Sequence, residues 1–495
     1  MPFRPGRRLT LRKALLAAVA AGALPLSAAA KDVPPTSEGA QKLSAIFAAY
    51  LGKPPAGAPP AVSVAPEGGH YAVTVSLGSL AAPLEQAGFS MDPVVVKYAL
   101  TEQDDGTWHV AGAELPPIAA RTKDGSVAYN FTAYAFDGIF DPALATFKSA
   151  RAGVDKMTAD IQAPALRETV GSGPIQATLG ATPASNGAVS TVAHEEISNL
   201  SIAASVTPQP GKASPDAKPV DFKLQLARAV VDLGLDGASI RKALDLWAFL
   251  VAHPTRPEIA ANEAAFKALL RALMPTEAKG SEKIEAQNVA VDAQQGSFGL
   301  ANAKFSLAAA VAPGPKGSVE YHLAMDGLAM PPGLLPPPMR ALAPTAIDFG
   351  VRASGFDFAA GADEAINDMH FAGDGPVIAQ DDGPKILARI KGAAPLVVEL
   401  LPSHVVAPQV DLTLEGQARL EGVRPSGTLK VRARNFDKTI AALKAAGPMA
   451  SPQVIGILAL AKGLGKADGD DLSWVAEYGA DGSIKVNGLP LGKSP

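Results

Sequence analysis

The chain contains no cysteine, which excludes disulfides, thiolate metal sites, cysteine nucleophiles and a lipidated N-terminal cysteine. Aromatic residues are only 5% of its 495 positions, so the core must be built mostly from Ala, Val and Leu. Charge is sparse at 19%, against 47% hydrophobic residues, and the length is ample for two or three cores.

Motifs that carry chemistry are also missing. The seven histidines, at 70, 109, 194, 253, 322, 370 and 404, show no close metal-pair spacing. His194-Glu195-Glu196 comes nearest: on an extended strand His194 and Glu196 would share a face, but no third ligand stands near in sequence. Gly171-Ser172-Gly173 lacks the third glycine and the strand-to-helix setting of a nucleotide loop and reads as a turn. No phosphate-binding GK[ST] segment and no G-x-S-x-G elbow occurs, so nucleotide loops and that class of serine hydrolase have no support. Asp468, Asp470 and Asp471 lack the glycine and glutamate of a calcium loop and read as a polar turn.

What is present begins with a three-part export pattern. Arg4, Arg7, Arg8, Arg12 and Lys13 precede the apolar run Ala14 to Leu26, and Ala28-Ala29-Ala30 offers a small-residue cleavage site. A signal peptide over residues 1–30, cleavage after Ala30 and periplasmic delivery are expected. The apolar run is short for a membrane anchor, and Thr10 stands where a twin-arginine signal prefers an apolar residue. Loss of those five basic residues takes the net charge from −4 to −9, which argues against a nucleic-acid surface.

Beyond the signal, Ser37 to Leu51 carries Leu43, Ile46, Phe47, Tyr50 and Leu51 at helical spacing. Strands follow at Tyr71 to Leu77, Val94 to Thr101, Thr107 to Ala113 and Ser126 to Phe136. In the last, Val127, Tyr129 and Phe131 oppose Tyr134 and Phe136, which suggests cover on both faces. Asp141-Pro142 has the form of a helix start, predicting a helix towards Ala152. Ile175 to Leu179, Val189 to His194 and Ile197 to Val206 read as strands. Thr207 to Pro219 reads as a long hairpin loop, because Val220 to Leu226 resumes strand alternation directly.

Ser239 to Ala252 and Pro257 to Met274 form the clearest helical pair. Strands recur over Lys283 to Ala293, Ser297 to Val311 and Ser318 to Ala329, where Val319, Tyr321, Leu323 and Met325 alternate with polar residues. A Pro-rich passage, Met330 to Pro344, leads to Ala346 to Phe358, and Asp382-Gly383-Pro384 opens a helix over Lys385 to Lys391. Strands followed by a helical pair appear around 197–300 and again around 346–490. This points to an internal duplication, although no residue-level repeat accompanies it.

The last quarter reads as a complete fold unit. Val410, Leu412 and Leu414 alternate with Asp411, Thr413 and Glu415; then Leu429, Val431 and Ala433 alternate with Lys430, Arg432 and Arg434. Those three cations are the best candidate for a basic strip, with a solvated strand face as the plainer reading. Asn435 reads as an N-cap for a helix ended by Gly447-Pro448, and Ser451-Pro452 starts a second helix. Val454 to Leu460 is apolar nearly all round and should be buried. Leu472, Trp474, Ala476 and Tyr478 open a closing hairpin across Asp481-Gly482.

The run Gly427 to Leu443 (GTLKVRARNFDKTIAAL), with the closing Asp481 to Gly492 (DGSIKVNGLPLG), resembles the ending of uncharacterised envelope proteins from alphaproteobacteria. They form a domain-of-unknown-function family related to the AsmA-like group. The resemblance covers roughly the last 85 residues. It implies an exported, β-rich envelope protein and supplies no catalytic residues.

The reading is an α+β fold: elongated, mainly antiparallel β-sheet with capping helical pairs. After the signal, an N-terminal α+β region is expected over 31–196, a central β region with a helical pair over 197–345, and a C-terminal α+β module over 346–495. No catalytic, cofactor-binding or metal-ligating residue is assigned, and no cofactor is expected. The function that fits is a periplasmic envelope protein of binding or scaffold type, peripheral to the membrane at most; its apolar strand faces could hold lipid or another apolar ligand in a β-lined groove, with faces that simply pack on helices as the plainer reading. The alternatives are a structural partner of another envelope protein and a hydrolase of an envelope polymer, which would need a carboxylate pair converging in a cleft.

Overall fold

The computed structural model describes residues 31–52, 60–78, 88–112, 114–207, 219–274, 277–294, 296–335, 337–392, 394–421, 424–445 and 452–493. The expected signal segment lies outside them. The chain divides into two units, one reaching Pro275 and including His370–Val377, the other comprising Thr276–Met369 and Ile378–Pro495. The boundary expected at 196/197 falls inside a strand, Val189–Val206.

The strands of the first unit are β1 (Val62–Glu67), β2 (His70–Ser76), β3 (Phe89–Met91), β4 (Val95–Glu102), β5 (Trp108–Gly112), β6 (Ile118–Thr122), β7 (Gly125–Thr132), β8 (Ala135–Asp141), β9 (Thr146–Val154), β10 (Lys156–Ala163), β11 (Leu166–Ser172), β12 (Ile175–Pro183), β13 (Val189–Val206) and β14 (Val220–Ala238). Several are halves of one longer strand. Thr132 of β7 faces Lys156 of β10, and Ala135 of β8 faces Gly153 of β9, in one unbroken register. In the same way β10 and β9 face β11 and β12, which both face β13. The pairing is antiparallel, between chain neighbours, and β13 runs against β14 from Val189 to Val206.

Each long strand is interrupted on one transverse line: at Ala133 (φ 54), Asp155, Gly173-Pro174 and Asn199 (φ 51). Facing strands are interrupted at the same point, so the register continues while the side-chain alternation shifts by one, and the apolar positions shift with it. Before the line in β7 they are Val127, Tyr129 and Phe131; beyond it they are Tyr134 and Phe136. Tyr98 joins the two sets on one side of the sheet. It packs in the cluster that includes Tyr129 and Phe131, meets Phe136 edge-on at 6.2 Å, and hydrogen-bonds with Tyr134, whose ionisation is pushed up mainly by burial. The two-sided apolar strand expected over Ser126 to Phe136 is therefore two half-strands with one apolar face. Gly171 and Ser172 belong to β11 and are not a turn.

The helix expected from Asp141 is also corrected. Asp141 Oδ1 accepts the Ala143 N–H at 2.8 Å, and Ala145 adopts φ 56. The segment is thus the turn from β8 into β9, where Ala150, Ala152 and Val154 are buried at period two. An Asp-Pro start fits either structure, but the alternation of Ala150, Ala152 and Val154 is satisfied only by a strand. Three helical segments pair near the end of this unit: α2 (Ile240–Ala252), α3 (Arg256–Ala261) and α4 (Glu263–Leu273), preceded early in the chain by α1 (Ser37–Leu51). Thr255 and Glu258 form a capping box at α3, and Phe249 meets Phe266 at 5.6 Å between α2 and α4. The hairpin expected across 207–219 is present: Val206 faces Val220, and its tip lies outside the described residues.

The second unit is another antiparallel meander: β15 (Ala278–Ala293), β16 (Gly296–Val311), β17 (Gly317–Asp326), β18 (Ala346–Phe356), β19 (Leu396–Ala407), β20 (Val410–Glu421), β21 (Arg424–Arg434), β22 (Lys466–Asp468), β23 (Asp471–Tyr478), β24 (Ser483–Val486) and β25 (Leu489–Lys493). Each pairs with its chain neighbour from β15 to β21; β23 follows β21 and also pairs with β22 and β24. A short α5 (Pro337–Arg340) precedes β18. Helical pairs interrupt the meander twice, with α6 (Phe358–Asn367) and α7 (Gly383–Lys391) between β18 and β19, and α8 (Phe436–Ala445) and α9 (Pro452–Leu464) after β21. The mainly antiparallel α+β class with helical pairs is as the sequence predicts. Asn435 immediately precedes α8, where its carbonyl accepts the Thr439 N–H at 3.1 Å, and it joins strand to helix in a left-handed conformation (φ 58).

Candidate functional site

In an antiparallel sheet, residues directly opposite one another point to the same side. In the second unit this places Ile284, Phe305, Leu323 and Phe349 in one row across β15 to β18. Tyr321, Val351 and Leu400 follow across β17 to β19, and Leu414, Val431 and Trp474 across β20 to β23. Val319, Tyr321, Leu323 and Met325, singled out in the sequence, all lie on this face, with Phe305 packed edge-on to Tyr321 at 5.3 Å.

The face is apolar yet incompletely sealed. Leu307 (37%), Tyr321 (36%), Phe349 (41%) and Leu429 (37%) keep over a third of their surface in solvent. Among the described residues of this unit, the buried hydrophobic side chains are Ile366, Ala407 and Ala433. A filled core would bury many more of the large side chains of this face. The α8–α9 pair covers one end: Trp474 meets Phe436 at 5.2 Å and donates its Nε1 proton to the Ala461 carbonyl at 2.7 Å. The burial expected for Val454 to Leu460 is only half realised. The side of α9 bearing Ala461 packs against the sheet, while Val454, Ile457 and Leu460 are exposed, the last two at 65%.

The opposite face is polar and internally neutralised. Lys430 pairs with Glu415 at 2.8 Å, Arg432 with Asp471 at 2.8 Å, and Arg434 with Asp471 at 3.4 Å and Asp411 at 3.5 Å. The candidate basic strip is therefore a solvated ladder of matched charges, not a free cationic surface. Arg352 lies between Glu320 and Glu399 at 2.6 and 3.5 Å. His322 joins Asp348 at 2.7 Å, and His404 joins Asp411.

This polar face holds the nearest approach to hydrolytic chemistry. Ser306, His322 and Gly350 stand opposite one another across β16 to β18, beside Asp348. His322 is held by Asp348, but no hydrogen bond joins Ser306 to His322, and the Gly350 N–H beside them is already donated to Ser403 Oγ at 3.2 Å. A nucleophile without a base in reach and without free oxyanion donors does not form a working triad. A depression of about 220 Å³ lined by Glu285, Gln287, Asn302, Lys304 and Asp326 lies on the same face. Its carboxylates already face Lys304 at 3.4 Å and Asn302 at 3.1 Å.

The first unit repeats the division. Val110, Phe136, Ala152, Ala177 and Ile175 lie on its apolar face, with Ala152 and Ala177 almost fully buried. His194 and Glu196 do share a face, the polar one. His194 Nδ1 is 2.7 Å from Asp232, and Glu196 takes Arg228 in a two-pronged pair at 2.7 and 2.8 Å, which holds its carboxyl below the usual range. Both are thus committed within the sheet, and among the described residues no cluster of three metal-binding side chains occurs. Glu195, between them, points to the apolar side. The sequence signal was available: Ala193, Glu195 and Ile197 alternate, with a single charge in an apolar row.

Residues 239–495 match a family described as uncharacterized protein conserved in bacteria (DUF2125). The match extends well upstream of the C-terminal stretch that carries the sequence resemblance. No curated protein and no solved structure matches the chain.

Proposed function

We propose that this chain, which belongs to the DUF2125 family, is a periplasmic envelope protein of binding or scaffold type that holds lipid or another apolar ligand against the apolar face of its sheet. The observation that carries the reading is the row of partly solvent-exposed side chains Leu307, Tyr321, Phe349 and Leu429 on an otherwise apolar strand face. Contiguous exposed apolar surface rimmed by polar residues is characteristic of interaction sites. The basic, apolar and small-residue order of residues 1–30 supports export. The resemblance of the C-terminal stretch to alphaproteobacterial, AsmA-related envelope proteins points the same way.

A second reading is favoured by one observation, the exposed ridge Val454, Ile457 and Leu460 on α9. It suits a structural role in which another envelope protein covers the helix. Native mass spectrometry and solvent extraction of the protein isolated from its own cells separate the two. A reproducible bound lipid is the expected result; a clean apo mass with a co-purifying protein would replace the first reading by the second.

A further inference from the structure

The carboxylate of Glu195 stands alone on an apolar surface. Its cross-strand neighbours are Ala177 on β12 and Val231 on β14, and Ala193 and Ile197 flank it two residues away on its own strand. The diagonal positions add Leu179 and Leu233, the latter exposed. The cations and histidines of this region, Arg228 and His194, belong to the other side of the sheet, where they meet Glu196 and Asp232. Glu195 has no hydrogen-bond or ion-pair partner among the described residues. It is half-buried, and burial alone pushes its proton affinity up.

An unpaired acid in such a place is costly to keep ionised, and the exposed Leu233 leaves one side of it open to solvent. A ligand that brings a positive charge would recover that cost, because a carboxylate in a low-dielectric setting gains most from a charge-assisted hydrogen bond. Resting on the reading of the sheet face as a ligand surface, we infer that Glu195 is the head-group subsite of the first unit and selects amphiphiles bearing an ammonium group. The ammonium pairs with Glu195, and the hydrocarbon lies along Ala193, Leu179 and Leu233, which stand opposite one another in the adjacent row. Neutral or anionic amphiphiles of equal length have the same apolar contact and lack the pair.

The test is calorimetric titration of the purified protein, at neutral pH and low salt, with dodecylamine, dodecanol and dodecanoate below their aggregation limits. The amine binds at least about tenfold more tightly than the alcohol, the size of one charge-assisted bond. Glu195→Gln abolishes that preference and leaves dodecanol binding unchanged. Glu195→Asp, which keeps the charge, retains a preference and serves if the glutamine variant does not fold. Glu196→Gln, on the opposite face, leaves the preference intact. Equal binding of amine and alcohol, or a preference that survives Glu195→Gln, overturns the subsite while leaving the apolar-ligand reading in place. Failure of all three probes to bind overturns both.

Discussion

Trp474 Nε1 donates to the carbonyl oxygen of Ala461 at 2.7 Å, fastening helix α9 to the apolar face of the second unit's sheet. The same indole packs on Phe436 of α8, so one side chain holds both helices of the pair. Trp474→Phe removes the hydrogen bond and keeps most of the ring; it is expected to cost about 1 kcal/mol. Trp474→Ala removes both and is expected to cost about 3 kcal/mol or more. Denaturant midpoints measure the losses, and limited proteolysis should show α9 cut first in the alanine variant. Equal stability of both variants with the wild type would mean that the helical pair is held elsewhere.

The transverse line of irregularities is testable at two left-handed positions. Ala133 (φ 54) carries a side chain where glycine is favoured, so Ala133→Gly should stabilise the first unit by up to about 1 kcal/mol, and Ala133→Val should destabilise it by more. Asn199 (φ 51) is a residue type that tolerates this conformation. Asn199→Gly should be near neutral and Asn199→Val unfavourable by about 1–2 kcal/mol. Thermal unfolding of the four variants reads the order, and a stabilising valine at either position would refute the left-handed joint.

Asp471 is only 6% exposed and accepts from both Arg432 and Arg434. Asp471→Asn leaves two guanidinium groups short of a counter-charge and is expected to lower stability by about 1–3 kcal/mol. The exposed pair Lys430–Glu415 is worth far less, with Glu415→Gln costing under about 1 kcal/mol. A urea titration in which the two variants lose equally would contradict the ranking.

Two glutamates should respond to pH in opposite senses. Glu364 is held below its ordinary value of about 4.5 by Lys385 first and Arg389 after burial is set against it. Its contribution is therefore complete above the unfolded value and is lost as pH falls through the lower folded value. Glu195 is raised by burial, so the ligand-free protein is penalised at neutral pH, and the penalty is relieved as pH falls through the folded value towards about 4.5. Glu364→Gln should flatten the acid side of the stability curve. Glu195→Gln should raise stability at pH 7, with a gain that shrinks on acidification. Melting curves from about pH 2.5 to about pH 8 decide both signs.

The exposed part of the apolar face can be altered with little effect on folding. Phe349→Asp places a charge on a side chain that is already 41% exposed and is expected to remove co-purifying apolar ligand while the melting temperature falls by only a few degrees. His404→Gln, on the polar face, should leave the ligand in place. Retention of ligand by Phe349→Asp would move the site away from this row.

Much of this architecture is legible in the chain because strand alternation is a local property. Leu412 and Leu414, Leu429 and Val431, and Val319 to Met325 declare their faces within a few residues. The helical pair over 240–273 and the single helix over 383–391 declare themselves by periodicity and caps, whereas its partner α6 is not predicted. Illegible were the places where one residue changes the outcome, such as Ala133, whose left-handed conformation shifts the alternation so that Tyr129 and Phe136 share a side. Likewise Asp141-Pro142 suits a helix start and a hairpin turn equally, and only the cross-strand partners of Ala150 and Ala152 decide between them. The isolation of Glu195 follows from which neighbours face it across β12 and β14, and these are 18 and 36 residues away.

The sequence by itself determined the absence of thiol chemistry, the predominance of antiparallel strands and the sites of most helices, because composition and short-range periodicity act through neighbours in the chain. Only the tertiary structure decided that the strands form meanders with one apolar and one charge-paired face. It also decided that Lys430, Arg432 and Arg434 are neutralised and that Leu307, Tyr321, Phe349 and Leu429 remain partly in solvent. Charge pairing and burial depend on register between strands far apart in the chain, which no local pattern encodes.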